Sequence, residues 1–446
     1  MSINLILAQS SKELEFILKN DLSNNTFCLP LNLETQLYCI NRGVKYIDLK
    51  SYLDNSFHLE ALKTTDKFLE ELNIETLNYQ CEKQALISLI RFKINSILFL
   101  IFSIKKISSK VKIEKIYISG WNDYQGQYSK KNYFISYLVV NLFENYKIEN
   151  ISKNKISNIA WKSYNDYKIS QKNLSNKKTI VLNNMGYNFS KIAYQAVSQG
   201  YKILVLDDNG ISLLKKFFFK IMGINFLKTK SEKKLISEKE KYSFVKVKFE
   251  EKKIEKIIQD LIEQEQYYFL SLKSKINEFK ALLNNLNVKF YFANFSRGES
   301  GFFFESKIKE KSMCVPHGTI SKYFDENDKI YKQNIHDSLV LNSNSYVALQ
   351  SKITSEYFVN KGKVKNFFNS GNLIFSNSTK KKPTYLLYAV TNKDFNNIQY
   401  FGVETFYEHL ENLKILNGLK TNYKVVVKVH PSEFDNIGSL KKIFPN

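Results

Sequence analysis

The chain has 446 residues, 43% of them apolar and 14% aromatic, with 15 glycines and 5 prolines, which excludes a disordered, collagen-like or low-complexity protein and leaves length for two large domains or three small ones. Its 66 basic and 43 acidic residues give a formal charge of +23, so polyanions are natural partners. Only Arg42, Arg91 and Arg297 among those cations are arginines; base readers favour the arginine fork over the lysine point charge, so the expected partner is an anionic membrane or polyanionic glycan and not a specific nucleic acid.

The N-terminal MSINLILAQSSKEL has no basic region ahead of its short apolar run and reads as a first buried strand, not a secretory signal. Strand 3–8, helix 11–20, strand 26–30, helix 35–42, strand 46–50 and helix 56–73 follow. In the last of these Phe57, Ala61, Leu62, Phe68, Leu69 and Leu72 recur with the helical period. Helix 84–108 is the most apolar segment. Its uncharged stretch, Ile94 to Ile104, is too short for a bilayer, which takes about twenty residues. Two readings remain: a buried helix, or one lying on a membrane interface with Lys93, Lys105, Lys106 and Lys110 at the headgroups. Strand 113–119 and helix 132–146 come next, and the Asn-, Ser- and Lys-rich residues 147–176 read as a linker or irregular excursion.

A cleaner unit opens with strand 179–183, helix 188–199 and strand 202–207, with Gly200 as a helix C-cap, which implies parallel strands. Helix 211–222, a strand near 243–249, a long charged helix 251–286 and strand 288–295 continue it. Helix 302–310, strand 312–316, strand 338–342, helix 345–360 and the extended run 364–372 follow. The chain closes with strand 384–390, helix 403–415 and strand 424–429. Strands alternating with helices throughout predict an α/β fold of two doubly wound, Rossmann-like domains facing a cleft. The expected division is 1–317, a connection at 318–336, and a C-terminal domain at 337–446.

Cys28, Cys39, Cys81 and Cys314 form no CxxC pair and lie at no zinc-finger spacing from histidine, so neither a structural metal nor a disulfide framework is expected, and a reducing cytoplasm is.

Ligands of open α/β sheets bind beyond the carboxyl ends of the strands, so polar residues just after buried strands are the candidates. His317, followed by Gly318 and Thr319, can serve there as general base or phosphate ligand, or pack as a structural histidine. Lys428 and His430 share one face of an extended strand that Pro431 ends; two cations suit a nucleotide diphosphate. Asp207-Asp208-Asn209-Gly210 offers a carboxylate for a hydroxyl proton, or turn and helix-cap chemistry. Arg297 provides the fork geometry for a substrate anion, or pairs locally with Glu299 or Glu305. Trp121, after strand 113–119, can stack on a sugar ring or pack.

Taken in order, His317-Gly318-Thr319, Asp337-Ser338 leading to Leu341-Asn342-Ser343, Ser370-Gly371-Asn372, Leu386-Leu387-Tyr388-Ala389 with Thr391, and Lys428-Val429-His430-Pro431 form a series. It resembles the nucleotide-dependent transferases of GT-B architecture that build bacterial surface polymers: the CDP-glycerol glycerophosphotransferases and the capsule polysaccharide transferases, including those using CMP-activated acidic sugars. The resemblance covers about residues 288–435. It implies that His317 is the catalytic base, with Asp208 second to it. It further implies that Gly318, Thr319, Ser343, Gly371, Asn372, Lys428, His430 and Pro431 bind the nucleotide donor; Arg297, Glu299 and Trp121, read from their own chemistry and position, are the candidates on the substrate side. Ile320-Ser321-Lys322 replaces the Pro and Lys that usually follow the glycerophosphotransferase turn, and only fifteen residues follow Pro431, so the C-terminal domain reads as incomplete.

The expected reaction is metal-independent, inverting transfer of a sugar or polyol phosphate from a CMP-, CDP- or UDP-linked donor to a polysaccharide or lipid-linked acceptor, at the inner face of the cytoplasmic membrane and without a cofactor. A decayed glycan- or anion-binding protein of the same fold, and a sugar-nucleotide 2-epimerase, are the alternatives.

Overall fold

The computed structural model describes residues 2–8, 10–20, 22–52, 55–71, 77–119, 134–152, 163–170, 177–207, 211–237, 252–264, 266–316, 322–330, 346–349, 351, 354, 356, 367–371, 384–389, 403–429 and 437–445. The first sheet is built from β1 (Ser2–Ala8), α1 (Ser11–Leu18), β2 (Thr26–Pro30), α2 (Leu33–Arg42), α3 (Asn55–Glu71), α4 (Gln80–Lys110), β3 (Lys112–Ile118), α5 (Phe134–Leu142) and β4 (Lys147–Asn150). Its strands are parallel and run in the order β2-β1-β3-β4. Two-residue alternation sends Ile3, Leu5 and Leu7 into one core and Ile6 and Ala8 into another. Ser10 and Asn32 start α1 and α2: each accepts a backbone N–H one turn on, Asn32 Oδ1 from Thr35 at 2.9 Å.

A second sheet follows. In chain order its neighbourhood contains β5 (Ser163–Ile169), β6 (Thr179–Leu182), α6 (Tyr187–Ser198), β7 (Lys202–Val205), α7 (Leu213–Ile221), β8 (Ile224–Phe226), β9 (Thr229–Leu235), α8 (Lys252–Gln264), α9 (Gln266–Asn284), β10 (Val288–Ala293), α10 (Gly298–Glu305), β11 (Ser312–Cys314), β12 (Tyr346–Leu349) and β13 (Phe367–Asn369). Seven of these strands form a parallel sheet in the order β13-β12-β11-β10-β6-β7-β8. Ile180 and Leu182 face Phe189, Ala193 and Ala196 of α6, while Val181 faces the opposite core with α9 and α10. Helices therefore cover both faces. β5 and β9 make a separate antiparallel ribbon on α9. The N–H groups of Asn165, Tyr167 and Ile169 donate to Ser271 Oγ, Ser274 Oγ and Glu278 Oε2 at 3.0, 2.7 and 2.8 Å, so helix side chains satisfy a strand edge.

The last part comprises β14 (Tyr385–Ala389), α11 (Val403–Asn417), β15 (Lys424–Lys428) and α12 (Ile437–Ile443), with β14 and β15 parallel. Leu410, Leu413 and Leu440 enter the core of the first sheet, and Asn41 Nδ2 donates to Ser439 O at 3.4 Å.

The α/β class with parallel sheets is as expected; several boundaries are not. The expected connection at 318–336 falls inside one sheet, because β11 and β12 pair across it, Met313 with Tyr346 and Cys314 with Val347. The chain changes sheet earlier, between β4 and β6, so neither 1–317 nor 337–446 is one structural unit. The apolar run Tyr346–Leu349, expected to start a helix, is a strand: a short buried run satisfies both periods, and only its neighbours decide. Residues 147–176 contain β4 and β5. The strand expected at 46–50 is a single bridge, Cys28 to Tyr46, and a 3-10 turn at Leu49–Ser51. The expected helix 251–286 is helical over Lys252–Gln264 and Gln266–Asn284, and α10 starts at Gly298, before the expected 302. The strands expected at 243–249 and 338–342 lie outside the described residues.

The interfacial reading of helix 84–108 is also corrected. Ile94, Ile97, Leu98, Leu100, Ile101 and Ile104 of α4 are all buried, while Cys81 and Ala85 at its start belong to the core of the second sheet. At about 46 Å, α4 runs through both cores. Among the described residues no helix is long and apolar enough to cross a membrane.

Candidate functional site

The order of the second sheet reverses between β6 and β10: the chain runs outward from β6 through β7 to β8, then returns beside β6 and runs the other way through β13. Right-handed crossovers then leave a crevice at the carboxyl ends of the two central strands. Asn183 and Asn294 stand there, each just beyond its strand. Asn183 N donates to Phe292 O at 3.0 Å and Asp207 N donates to Asn183 O at 2.9 Å, so the ladder is intact up to the rim. Asn183 Nδ2 donates to Asn294 Oδ1 at 2.7 Å. Asn183 is 3% exposed, and its Oδ1 has no hydrogen-bond partner among the described residues. A buried acceptor left unmatched costs about 1–3 kcal/mol, and a donor from a ligand would recover it.

Both helices that leave the reversal point start without a side-chain cap: α6 after Gly186 and α10 after Arg297. Their first N–H groups and dipoles favour an anion. Gly298, at φ +64, makes the turn from Arg297 into α10. One wall is charged. Lys275 Nζ of α9 lies 3.2 Å from Glu299 Oε1 and 4.9 Å from the Tyr167 ring centre. Burial disfavours the Lys275 charge, but Glu299, Tyr167 and Asp207 outweigh it and raise the ammonium above its ordinary pKa. The arrangement offers an acceptor for a hydroxyl or N–H, backbone donors for an anion, and a fixed cation. It suits a polar, negatively charged ligand.

The first sheet also reverses, between β1 and β3. There Ser119 Oγ donates to Glu13 Oε1 at 3.1 Å, and Ser11 N donates to Glu34 Oε1 at 2.8 Å. Gln36 Oε1 of α2 is also buried and unmatched among the described residues, but α2 follows the edge strand β2; the second crevice differs in having its unmatched atom at the reversal itself, beside two helix starts without side-chain caps.

Of the expected site residues, Arg297 and Glu299 lie at this crevice, at the start of α10. Among the described residues Arg297 pairs with neither expected local partner: Glu299 takes Lys275, and Glu305 Oε1 accepts Cys81 N at 2.7 Å, capping α4. Gly371, at φ +66, follows edge strand β13, three strands and about 14 Å from β10. Lys428 is exposed at the end of β15, in another sheet. His317, Asp208, Gly318, Thr319, Ser343, Asn372, His430, Pro431 and Trp121 lie outside the described residues. Their nearest described neighbours are informative: Val315 N donates to Ala293 O at 2.7 Å, so β11 delivers Pro316 beside the end of β10.

Sequence reading missed Asn183, Asn294 and Lys275. The first two follow the buried runs TIVL and VKFYFA directly, and that position was the available signal; nothing local marks Lys275. No protein-family model matches the chain, and no curated protein matches it.

Proposed function

We propose that this chain is a nucleotide-dependent transferase of GT-B-like, two-lobed architecture that moves an activated sugar or polyol phosphate onto a hydroxyl of a growing surface polysaccharide or lipid-linked acceptor. The observation that supports it best is the reversal between β6 and β10, with a buried, unmatched Asn183 Oδ1 between two uncapped helix N-termini. Doubly wound sheets bind phosphorylated and nucleotide ligands at such points. In this reading the acceptor hydroxyl attacks the activated carbon or phosphorus, and His317 takes its proton, with Asp208 as the lesser candidate. The nucleotide leaves with the bonding electron pair. Lys428 and His430 steady the leaving phosphate, while Arg297 and the start of α10 hold an anionic group of the substrate. A base contributes about 10²–10⁴-fold. Four free thiols, all buried, support a reducing compartment, the cytoplasm, with peripheral contact to anionic membrane.

The test is a thermal-stability screen with CMP-, CDP-, UDP- and GDP-linked compounds on the full chain, repeated on Asn183→Leu. One nucleotide class should raise the melting temperature, by the equivalent of about 2.7 kcal/mol at a hundred times its Kd, and the gain should shrink in the variant. Stabilisation by none would leave a non-catalytic anion binder. Conversion of a UDP-sugar without acceptor would show an epimerase.

A further inference from the structure

Helix α7 turns its apolar side to solvent. Leu213, Leu214, Phe217, Phe218 and Ile221 are 83, 73, 61, 62 and 68% exposed. Spaced i, i+1, i+4, i+5 and i+8, they make one stripe along the helix, which Met222 extends. The protein holds the opposite side, where the Phe219 ring lies 6.5 Å from Tyr194 and 6.1 Å from Phe226, centre to centre. Lys215, Lys216 and Lys220 project on the flanks between the two sides, and the helix carries no acidic residue. The excess of cations continues beyond it: residues 211–237 hold seven lysines against a single glutamate, Glu232, and every residue of β9 is exposed.

A helix with bulky apolar groups on one face and lysines beside them is suited to lie in the plane of a bilayer surface. We propose that α7 seats the protein on an anionic phospholipid bilayer, with Phe217, Phe218 and Ile221 at the acyl boundary and Lys215, Lys216 and Lys220 among the headgroup phosphates. Charge argues for lipid over a second copy. A two-fold pairing of α7 stripes would press like-charged lysine flanks together, whereas headgroups supply the opposite sign. The inference gives a surface to the membrane contact proposed above. It depends on α7 alone, so it stands or fails separately from the transferase reading.

Co-sedimentation of the full chain with phosphatidylcholine vesicles, with and without phosphatidylglycerol, tests it. The chain should sediment only with the anionic vesicles. Phe217→Ser with Phe218→Ser should abolish binding at unchanged far-UV circular dichroism and melting temperature, since both side chains are exposed. Each lysine removed, Lys215→Gln or Lys220→Gln, should weaken binding about five-fold. A Phe217→Trp variant should shift its emission to the blue on anionic vesicles alone. The proposal is overturned if the wild-type chain stays in the supernatant with anionic vesicles, or if the paired serine variant still sediments. It is overturned equally if the chain is a dimer in sedimentation velocity that the serine pair dissociates, which would assign the stripe to a second copy.

Discussion

Gly301→Ala separates two ways in which glycine shapes the loop entering the crevice. Helix α10 lies across the start of α4, and a β-carbon at Gly301 would stand 2.4 Å from Ser296 O and 2.6 Å from Cys81 Cβ. Ordinary carbon–oxygen contacts begin near about 3.3 Å and carbon–carbon contacts near about 3.5 Å. Both neighbours are backbone or backbone-anchored atoms, so the two helices must part by about 1 Å. Overpacking of this kind costs about 1–3 kcal/mol and sometimes more; with two contacts violated together, a loss of about 3 kcal/mol is expected. The shift falls on Ser296 and Arg297, so nucleotide-induced stabilisation should be lost as well. Gly298→Ala is the control. Its φ of +64 makes alanine cost about 1–2 kcal/mol, but the nearest atom, Leu272 Cδ1, is at an ordinary 3.9 Å, so nothing has to move apart. Urea denaturation followed by circular dichroism measures both. A Gly301→Ala protein within about 0.5 kcal/mol of wild type, the scatter of neutral surface changes, would refute the close approach of α10 and α4.

Other expectations follow from single groups. Tyr291→Phe removes the buried donor to Ser300 O, 2.9 Å away, and should cost about 1 kcal/mol in the same urea assay; no loss would mean that the bond is not made in solution. Burial raises the Glu305 carboxyl above its ordinary value of 4.5 even though Cys81 N donates to it. The folded protein therefore holds the proton more tightly than the unfolded chain, and this contribution to stability declines as pH rises from about 4.5 towards neutrality. Glu305→Gln should accordingly gain on wild type between those pH values in urea midpoints, and a constant or reversed difference would contradict the sign. Burial pushes the Cys314 thiol up to about 12, and Cys28 and Cys81 also rise. All four cysteines are buried, so native protein should resist alkylation at pH 8 and unfolded protein should take four equivalents; fast native labelling would show local opening. His317→Ala should eliminate transfer with nucleotide affinity nearly intact, and chelator should leave the wild-type rate unchanged; an unaltered rate in the variant would remove His317 from the mechanism.

Local pattern carried much of the fold. The apolar run of β1, the strand–helix–strand unit from β6 to β7, and VKFYFA of β10 are legible because a buried strand or an amphipathic helix writes its period into adjacent residues. The same rule pointed to the carboxyl ends of strands, and Arg297 and Glu299 do lie at one. It did not reveal Asn183 beside Asn294. They stand more than a hundred positions apart, and only the pairing of β6 with β10 joins them. Lys275 faces Glu299 because α9 crosses that side of the sheet, a placement that helical periodicity does not encode.

The amino-acid order alone determined the α/β class, most helices and, through their alternation with strands, the parallel pairing, since each pattern depends on neighbours within a turn or two of chain; the lysine-dominated charge follows from composition. Tertiary packing decided the remainder. It placed β12 in the second sheet, drew α4 through two cores in place of a membrane surface, left one amide oxygen without a partner at the reversal of strand order, and turned the apolar side of α7 outward. In each case the deciding energy comes from burial against residues far away in sequence, to which a local hydrophobic period is blind.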